Sequence, residues 1–451
     1  MKSYRTTEKT LSRRGFLGSS LAAVSALGLE SREVFQQAAA PAGLEAKIKD
    51  FRTLGRTGFN VSDIGFGAGY LTNASVLSAA LDRGVNYVDS AESYGRGATE
   101  RAIGEALKGR DRKSLFISTK LWLGSRQPKD KAGIKERFRK CLERMKTDYA
   151  DCLQIHLCSL ADVKHEPYHE AIRELKAEGR VRFSGLSNHG ADFNLQSVPF
   201  DEPMDKVLLA AAEDGRFDVA LFVYNFLMKD MGEKILAVCK AKNMGTTIMK
   251  SDPSLYTQGD REAIKSLTDR FKSQGKEVPD EIKDLFKLAA ERAVSTEAFL
   301  KKYHLSSPEQ TREAALKFCL AHEDVHCVCP SMTTFEDVDH FIALSGHKMK
   351  SGDETMLADY RELSGDLYCR HACGICESAC PQGIPVNTIM RYDYYFKAKR
   401  QEKMAMGEYA ILGSHNAAPC FDCAGACVKA CPYGVLIQAK LILAHETLSS
   451  S

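Results

Sequence analysis

Residues 86–95 read NYVDSAESYG and change abruptly from apolar to polar side chains. The first half belongs to a run, residues 85–89, whose β-branched and aromatic side chains are typical of a buried strand. The run ends on a carboxylate, Asp89, and Tyr94 follows five residues later. Strand ends of this kind carry the active-site residues in barrels of parallel strands.

Seven other short apolar runs are spread through the chain and alternate with charged stretches of helical periodicity. The eight runs are 62–67, 85–89, 115–120, 151–156, 182–188, 219–225, 246–250 and 326–331, and the helical stretches include 100–108, 134–145, 168–177 and 308–322. Alternation of strands and helices predicts a parallel sheet. Eight units over about 280 residues therefore predict an α/β fold, a closed (β/α)₈ TIM barrel.

Two further segments complete the predicted barrel. Residues 51–54 and 59–61, around Gly55 and Gly58, predict a hairpin that covers the barrel floor. Residues 253–305 are too long for one simple helix. We therefore expect extra helices there, beside or above the barrel mouth.

Two motifs in the barrel region suggest other folds or sites, and both are rejected. Residues 65–69 follow a strand, but their G-x-G-x-G spacing differs from the G-x-G-x-x-G of dinucleotide-binding loops. Residues 165–169 read HEPYH, which matches the zinc-protease pattern H-E-x-x-H. Pro167 fits best as an early residue of a helix, so His165 would lie outside that helix and could not share its face with His169.

Polar side chains follow four successive runs at the point where each run ends. They are Asp89, Lys120, His156 and the pair Ser187 and Asn188. Each has a structural explanation by itself, as a helix cap, a solvated lysine or a core histidine. Because all strand ends of a barrel meet at one mouth, four in succession predict an active site there.

In this region the chain resembles the aldo/keto reductases. The resemblance is carried by residues 84–95 (GVNYVDSAESYG), Glu100, residues 103–104, residues 119–120, His156 and residues 185–188 (GLSN). It implies a barrel domain over residues 50–347 that transfers hydride between NAD(P)(H) and a small carbonyl or alcohol substrate, an EC 1.1.1-type activity. It also implies a catalytic tetrad of Asp89, Tyr94, Lys120 and His156.

The chemistry of this tetrad follows from its groups. Hydride added to a carbonyl carbon leaves an alkoxide, and a tyrosine with an ordinary pKa of ~10 keeps a proton for it at neutral pH. The ammonium of Lys120 would lower the pKa of the Tyr94 phenol by stabilising the phenolate. Asp89 would hold Lys120, and His156 would donate a hydrogen bond to the carbonyl oxygen.

The resemblance also implies where the cofactor lies. Ser187 and Asn188 would contact the nicotinamide amide, and residues 330–334, with Ser331 and Met332, would bind phosphate. The chain departs from the family at other positions. Leu221 replaces a frequent glutamine, and His340 and Phe341 replace a usual Glu-Asn pair. No arginine follows residues 330–334 to hold a 2′-phosphate, so the choice between NAD and NADP stays open.

Lys250 stands where the family often stacks an aromatic ring on the nicotinamide. Its ammonium would either meet a cofactor phosphate or be solvated or salt-bridged, and the sequence does not decide between these alternatives.

The cysteines are clustered near the C-terminus. Eight of the 15 lie in residues 365–447, in two groups that each end in C-x₃-C-P. The first group is Cys369, Cys373, Cys376 and Cys380, and the second is Cys420, Cys423, Cys427 and Cys431. Such quartets predict metal ligands. The other seven are expected to be small buried hydrophobic residues.

The two groups resemble the C-x₂-C-x₂-C-x₃-C-P repeats of bacterial two-cluster ferredoxins, with one residue inserted in each group. The resemblance implies two [4Fe–4S] clusters in a mainly helical and loop domain. The fourth cysteine of each group normally binds the other cluster. This would place Cys431 with Cys369, Cys373 and Cys376, and Cys380 with Cys420, Cys423 and Cys427. Two Cys₄ zinc sites or disulfides remain alternatives.

The N-terminus, residues 1–40, resembles a twin-arginine export signal. Arg13 and Arg14 stand in SRRGFL, followed by a weak apolar run and by the small residues 38–40. The resemblance implies a periplasmic protein that is exported already folded around its cofactors. A disordered basic tail on a cytoplasmic protein is the alternative.

Composition limits the remaining classes. Lys and Arg total 62 against 59 Asp and Glu, so no electrostatic footprint for nucleic acid is present. The apolar run of residues 16–29 is too short to span a bilayer, which argues against an integral membrane protein. We expect an oxidoreductase with a redox partner protein. The alternative is an exported iron–sulfur electron-transfer subunit whose barrel is not catalytic.

Overall fold

Eight parallel strands form the centre of the structure. The computed structural model describes residues 46–124, 127–190, 202–253, 257–273, 275, 277–398 and 401–449, which belong to one structural unit. The strands follow one another in chain order, as β3 (Phe66–Gly67), β4 (Tyr87–Asp89), β5 (Phe116–Leu121), β6 (Ala150–Ile155), β7 (Val181–Asn188), β8 (Val219–Val223), β9 (Gly245–Met249) and β10 (Cys327–Val328). This confirms the predicted alternating α/β architecture.

The ends of the sheet are joined across β3 and β10. Parallel bridges connect Ile64 with Val328 and Gly67 with Ser331. The backbone nitrogen of Gly67 donates to the carbonyl of Pro330 at 2.9 Å. A Cβ on Gly67 would lie 2.9 Å from that carbonyl oxygen, so a larger residue would push the two strands apart.

A hairpin covers the barrel floor, as the sequence predicts. Strands β1 (Phe51–Thr53) and β2 (Asn60–Ser62) pair antiparallel. Leu54 and Val61 are fully buried against Tyr87 and Phe116 in the lower interior of the barrel. The hairpin therefore covers the amino-terminal ends of the strands.

Helices flank the sheet, and most of them bury apolar residues against it. They are α1 (Ala74–Asp82), α2 (Ala98–Ala106), α3 (Lys131–Met145), α4 (Leu160–Val163), α5 (Glu166–Ala177), α6 (Met204–Asp214), α7 (Lys229–Ala241), α8 (Thr257–Ser273), α9 (Asp280–Tyr303), α10 (Arg312–Ala321), α11 (Phe335–Ile342) and α12 (Ser351–Ser364). In α3, Asp130 caps the first turn, and Ile134, Phe138, Cys141 and Met145 are buried at helical spacing. The predicted extra helices between 253 and 305 are α8 and α9.

The C-terminal residues form a mainly helical region with its own core. It contains α13 (Val386–Lys397), α14 (Glu402–Ile411), α15 (Ala426–Ala430) and α16 (Ile437–Leu448). Ile389 and Tyr392 of α13 and Ile442 of α16 share one hydrophobic cluster, which also includes Ile282 and Leu285 of α9. None of the described helices is long and apolar enough to cross a membrane.

Candidate functional site

Three of the predicted catalytic residues lie on neighbouring strands at the mouth of the barrel. Asp89 ends β4, Lys120 is the penultimate residue of β5, and His156 follows β6. Their exposed fractions are 5%, 1% and 6%. The parallel register pairs Asp89 with Ser118 and Leu121 with Ile155. Successive strands therefore place the carboxylate, the ammonium and the imidazole side by side.

Lys120 and Asp89 form a buried ion pair. The Nζ atom of Lys120 lies 2.5 Å from Oδ2 of Asp89 and also donates to the carbonyl oxygen of Ser90 at 2.7 Å. Burial raises the pKa of Asp89, and the charge of Lys120 opposes that rise. The ammonium is thus fixed in position by two oxygen acceptors.

Tyr94 completes the group from the loop after β4. It is half-buried and begins a short 3₁₀ turn, Tyr94–Gly97. Nζ of Lys120 lies 5.1 Å from the centroid of the Tyr94 ring, and the ring of His156 meets it edge-on at 5.7 Å. The structure therefore brings the four residues of the proposed tetrad together. Their catalytic role stays a prediction.

The imidazole of His156 is uncharged at neutral pH. Burial lowers its pKa well below the ordinary value of 6.5, and the nearby Lys120 lowers it further. A neutral imidazole can donate a hydrogen bond to a carbonyl oxygen without adding charge to the site.

Glu100 is fully buried and contacts strand β5, which carries Lys120. Its carboxylate accepts from Oγ1 of Thr119 at 2.8 Å and from Nε of Arg144 at 2.6 Å. Thr119 precedes Lys120 in β5, so Glu100 fixes the strand that carries the ammonium. The sequence marks Glu100 only through the family resemblance, and its structural role depends on Arg144, which lies 44 residues away.

The two predicted nicotinamide contacts hold adjoining loops in place. Nδ2 of Asn188 donates to the carbonyl of Cys158 at 2.7 Å, and its Oδ1 accepts from the backbone nitrogen of Gly190 at 2.8 Å. Oγ of Ser187 accepts from the backbone nitrogen of Leu157 at 3.4 Å. Both side chains therefore fix the rim of the mouth between β6 and β7, and their contact with a cofactor stays a prediction.

His189 is a candidate residue that sequence reasoning missed. Its Nδ1 atom is buried and has no hydrogen-bond partner among the described residues. Burial lowers the pKa of His189 well below its ordinary value, and Lys250, His156 and Lys120 add to this effect. His189 directly follows Asn188, the last residue of β7. The sequence signal that could have identified His189 is its position directly after Asn188.

Lys250 makes a contact that neither sequence alternative anticipated. Its Nζ atom donates to the hydroxyl of Tyr395 on α13 at 3.0 Å. The residue has a positive φ of 54° at the end of β9. The C-terminal region thus reaches the barrel mouth at the position where a cofactor contact was expected.

The predicted phosphate segment is only partly open to a ligand. The side chain of Met332 is buried in the barrel core, whereas Ser331 is exposed. The carboxylate of Asp337 accepts from the backbone nitrogen of Thr333 at 2.9 Å, from its Oγ1 at 2.9 Å and from the backbone nitrogen of Thr334 at 3.2 Å. The carboxylate of Asp337 therefore already accepts the hydrogen bonds that Thr333 and Thr334 donate just before α11.

The eight C-terminal cysteines separate into two sets by their mutual electrostatic interactions. Burial raises the pKa of Cys369 to about 11, and Cys373 and Cys431 contribute to this rise. Burial likewise raises the pKa of Cys420 to about 12, with contributions from Cys427, Cys380 and Cys423. The pKa of Cys376 is raised by burial and then by Cys369, Cys373 and Cys431. Each set thus contains the fourth cysteine of the other sequence group.

The two cysteine groups are also structurally repeated, fifty-one residues apart. Cys380 and Cys431 each begin a C-P-x-G turn, in which Gly383 and Gly434 have φ values of 60° and 70°. The following helices, α13 and α16, begin at equivalent positions, three residues after each glycine. The first, third and fourth cysteines of the groups correspond at this offset, and only the second is shifted by one residue.

Two nitrogen donors form hydrogen bonds with cysteine sulfur atoms. The backbone nitrogen of Ile384 donates to Sγ of Cys380, and Nδ2 of Asn387 donates to Sγ of Cys369, both at 3.4 Å. Among the described residues, however, no group of three or more His, Cys, Asp or Glu side chains is arranged to hold a metal ion. The predicted metal sites therefore remain predictions.

The H-E-x-x-H sequence is not a zinc site, as the proline indicated. Helix α5 begins at Glu166, so His165 lies outside it. Nε2 of His165 contacts the carbonyl of Lys129 at 2.8 Å, and Nε2 of His169 contacts that of Val163 at 2.9 Å.

Known proteins that are similar to this chain match its barrel region. The profile described as "Aldo/keto reductase family" matches residues 70–357. The oxidoreductase YqkF of Bacillus subtilis is 36% identical over 149 residues, which cover 30% of this chain and 48% of YqkF. The aldo-keto reductase YhdN of the same organism is 27% identical over 207 residues, which cover 38% of this chain and 61% of YhdN. The chain thus spans about half of these curated relatives.

A solved structure, an aldo-keto reductase from Bacillus halodurans in its holo form, matches with a TM-score of 0.49 and 23% identity, covering 70% of this chain and 96% of that one.

Proposed function

Because the chain belongs to the aldo/keto reductase family, we propose that it reduces a small carbonyl compound or oxidises the corresponding alcohol with NAD(P)(H), an EC 1.1.1-type reaction. The observation that carries the proposal is the position of the Lys120 ammonium, 2.5 Å from the Asp89 carboxylate and 5.1 Å from the centre of the Tyr94 ring. An ammonium beside a phenol stabilises the phenolate and makes the phenol a better proton donor.

The four residues divide the work of protonation and orientation. When bound, the nicotinamide supplies or accepts the hydride. Tyr94 gives its proton to the oxygen that becomes an alkoxide, and Lys120 stabilises the phenolate left behind. Asp89 keeps the ammonium in place, and the neutral His156 donates a hydrogen bond that orients the substrate oxygen.

The residues around the mouth fit a nicotinamide better than they fit the phosphate of NADP. The unpartnered Nδ1 of His189 offers a free hydrogen-bonding position near Asn188. Ser331 is exposed at the predicted phosphate segment, but Asp337 occupies the donors of Thr333 and Thr334. The nicotinamide end of the cofactor is therefore supported, and the 2′-phosphate end is opposed by a carboxylate.

The proposal includes two [4Fe–4S] clusters, bound by Cys369, Cys373, Cys376 and Cys431 and by Cys380, Cys420, Cys423 and Cys427. Three features support it: the crossed electrostatic sets, the repeated C-P-x-G turns and the donors aimed at sulfur. The two C-x₃-C-P endings favour iron–sulfur clusters over Cys₄ zinc sites.

The clusters give the protein a route for single electrons to a redox partner protein. Export to the periplasm by the twin-arginine route completes the proposal and accounts for cofactor insertion before export. It rests on residues 1–40 alone, which lie outside the described part of the chain.

Replacement of one hydroxyl tests the enzymatic half. Tyr94→Phe should lower kcat for carbonyl reduction by about 10²–10⁴-fold, the usual contribution of a positioned acid. Tyr149→Phe, at a half-buried tyrosine outside the tetrad, is the control. Iron, sulfide and nicotinamide counted per chain after anaerobic purification show whether each variant keeps its cofactors. Absence of carbonyl reduction in every form, with unchanged reduction of a partner, would establish the alternative of a non-catalytic barrel.

A further inference from the structure

The loop between the first two C-terminal cysteines lies against the end of β7. Residues 369–373, the docking loop, place Ala372 in the hydrophobic core of the barrel. The carbonyl of Ala372 accepts from the backbone nitrogen of Met204 at 3.1 Å. A Cβ on Gly190, two residues after Asn188, would lie 2.5 Å from Cα of Ala372. The docking loop therefore closes the rim beside the expected nicotinamide position.

Helix α13 contacts the barrel mouth at the end of β9. The hydroxyl of Tyr395 accepts the hydrogen bond from Lys250 at the end of β9. Gln401, just beyond α13, meets the hydroxyl of Tyr70 at 3.5 Å. Tyr368 and Tyr394 pack with Phe226 and Leu227 beyond the end of β8. The C-terminal region thus contacts the ends of β7, β8 and β9 and the loop after β3.

The docking loop and α13 are held together as one unit. Nδ2 of Asn387 donates to the carbonyl of Arg370 at 2.6 Å, and its Oδ1 accepts from the backbone nitrogen of Ala372 at 3.1 Å. An NH₂ group of Arg391 donates to the carbonyl of Cys369 at 2.5 Å. These bonds carry a displacement at Cys369 directly to the helix that bears Tyr395.

We propose that the docking loop and α13 complete the dinucleotide site of the barrel and hold the cofactor in it. The proposal rests on the proposed function above. The Tyr395 hydroxyl fixes Lys250 on one side, and Ala372 fixes the backbone of Gly190 on the other. Iron bound by Cys369, Cys373, Cys376 and Cys431 keeps the docking loop in place, so occupancy of these cysteines sets how fast the dinucleotide leaves.

Metal binding stabilises the conformation in which its ligands converge. Without iron, the thiols of Cys369, Cys373, Cys376 and Cys431 lose the bonds that hold residues 369–373 to residue 431. The contact of Ala372 with Gly190 then depends on the hydrogen bonds of Ala372 with Met204 and Asn387. A dinucleotide held by a closed rim leaves slowly, which suits a protein exported with its cofactor. The same closure makes exchange with a soluble nicotinamide pool slow.

The test measures release of reduced dinucleotide from anaerobically prepared full-length protein, followed by its fluorescence after dilution into excess oxidised dinucleotide. Tyr395→Phe removes the hydroxyl that binds Lys250, and the release rate should rise about tenfold or more, as for the loss of a hydrogen bond to a charged group. Tyr149→Phe, which removes a hydroxyl that contacts the carbonyl of Arg112 away from the docking loop and α13, should leave the rate within about twofold. Iron removal from the wild-type protein by a chelator should also speed release.

Two results would overturn the proposal. One is an equal release rate in wild-type protein, Tyr395→Phe and iron-depleted protein. The other is an additive effect when Tyr395→Phe and Lys250→Met are combined, because residues that act as one pair should not add. If wild-type protein binds no dinucleotide at all, the proposed function fails as well, which separates the two failures. The chelator experiment needs no variant and applies even if Tyr395→Phe does not fold.

Discussion

Gly190 and Ala372 are 182 residues apart in sequence and touch at the barrel rim: a Cβ on Gly190 would lie 2.4 Å from the Cβ of Ala372. Gly190 also has a φ of 80°, a left-handed conformation that favours glycine. The chain therefore has two independent reasons for glycine here. One is the backbone conformation, and the other is the close approach of the cysteine-rich region.

Gly190→Ala should loosen the C-terminal region from the barrel. The left-handed conformation costs a residue with a Cβ about 1–2 kcal/mol, and the overlap with Ala372 adds about 1–3 kcal/mol. Gly179→Ala is a matched control, because Gly179 has a φ of 69° and nothing lies within 4 Å of its Cβ position. Thermal unfolding should show a lower Tm for Gly190→Ala than for Gly179→Ala.

Adding Ala372→Gly to Gly190→Ala should restore part of the lost Tm, since the second change removes the opposing methyl group. Equal Tm values for Gly190→Ala and Gly179→Ala would show that the contact contributes nothing beyond backbone strain.

Paired cysteine replacements distinguish crossed from sequential cluster binding. With crossed ligands, Cys380→Ser and Cys420→Ser affect the same cluster, so the double variant should keep about four of about eight irons per chain. Cys369→Ser combined with Cys380→Ser affects both clusters and should leave almost no iron. Cys239→Ser, at a buried thiol of α7, is the control. The reverse pattern of iron loss would indicate sequential binding.

The parts of the molecule governed by local patterns could be predicted from the sequence. Apolar runs between helical stretches gave all eight strands, because strand and helix periods differ. The convergence of Asp89, Lys120 and His156 was also predictable, since parallel strands place their ends at one mouth. The hairpin over the floor followed from two short runs around Gly55 and Gly58.

Contacts between distant segments could not be predicted in this way. The hydrogen bond from Lys250 to Tyr395 spans 145 residues, and no local pattern pairs a lysine after β9 with a tyrosine on α13. Met332 was expected near phosphate, but its side chain turns into the core. Asp337 lies close in sequence to the phosphate segment. Only the folded backbone shows that its carboxylate accepts hydrogen bonds from Thr333 and Thr334.

Asp337 should select against NADPH. Its carboxylate holds the donors of Thr333 and Thr334 and is negatively charged, since hydrogen bonds from these residues lower its pKa against the effect of burial. Asp337→Asn keeps an acceptor for the helix cap and removes the charge. The Kd for NADPH should fall relative to that for NADH by about 5–10-fold, which titration of nucleotide fluorescence would measure. A similar change in Glu336→Gln would show a general charge effect instead.

The buried His156 should make the protein less stable in acid. Because burial and Lys120 lower its folded pKa well below 6.5, the unfolded chain binds a proton there that the folded chain does not. Its contribution to stability is therefore complete above about pH 6.5 and is lost as the pH falls below that value, by at most about 1.4 kcal/mol per pH unit. The Tm of the wild-type protein should fall between about pH 7 and pH 5.5, and His156→Gln should fall less steeply. His347→Gln, at an exposed histidine, should follow the wild-type curve. Parallel curves for wild-type protein and His156→Gln would mean that folding does not lower the pKa of the imidazole, which would contradict the effect of burial.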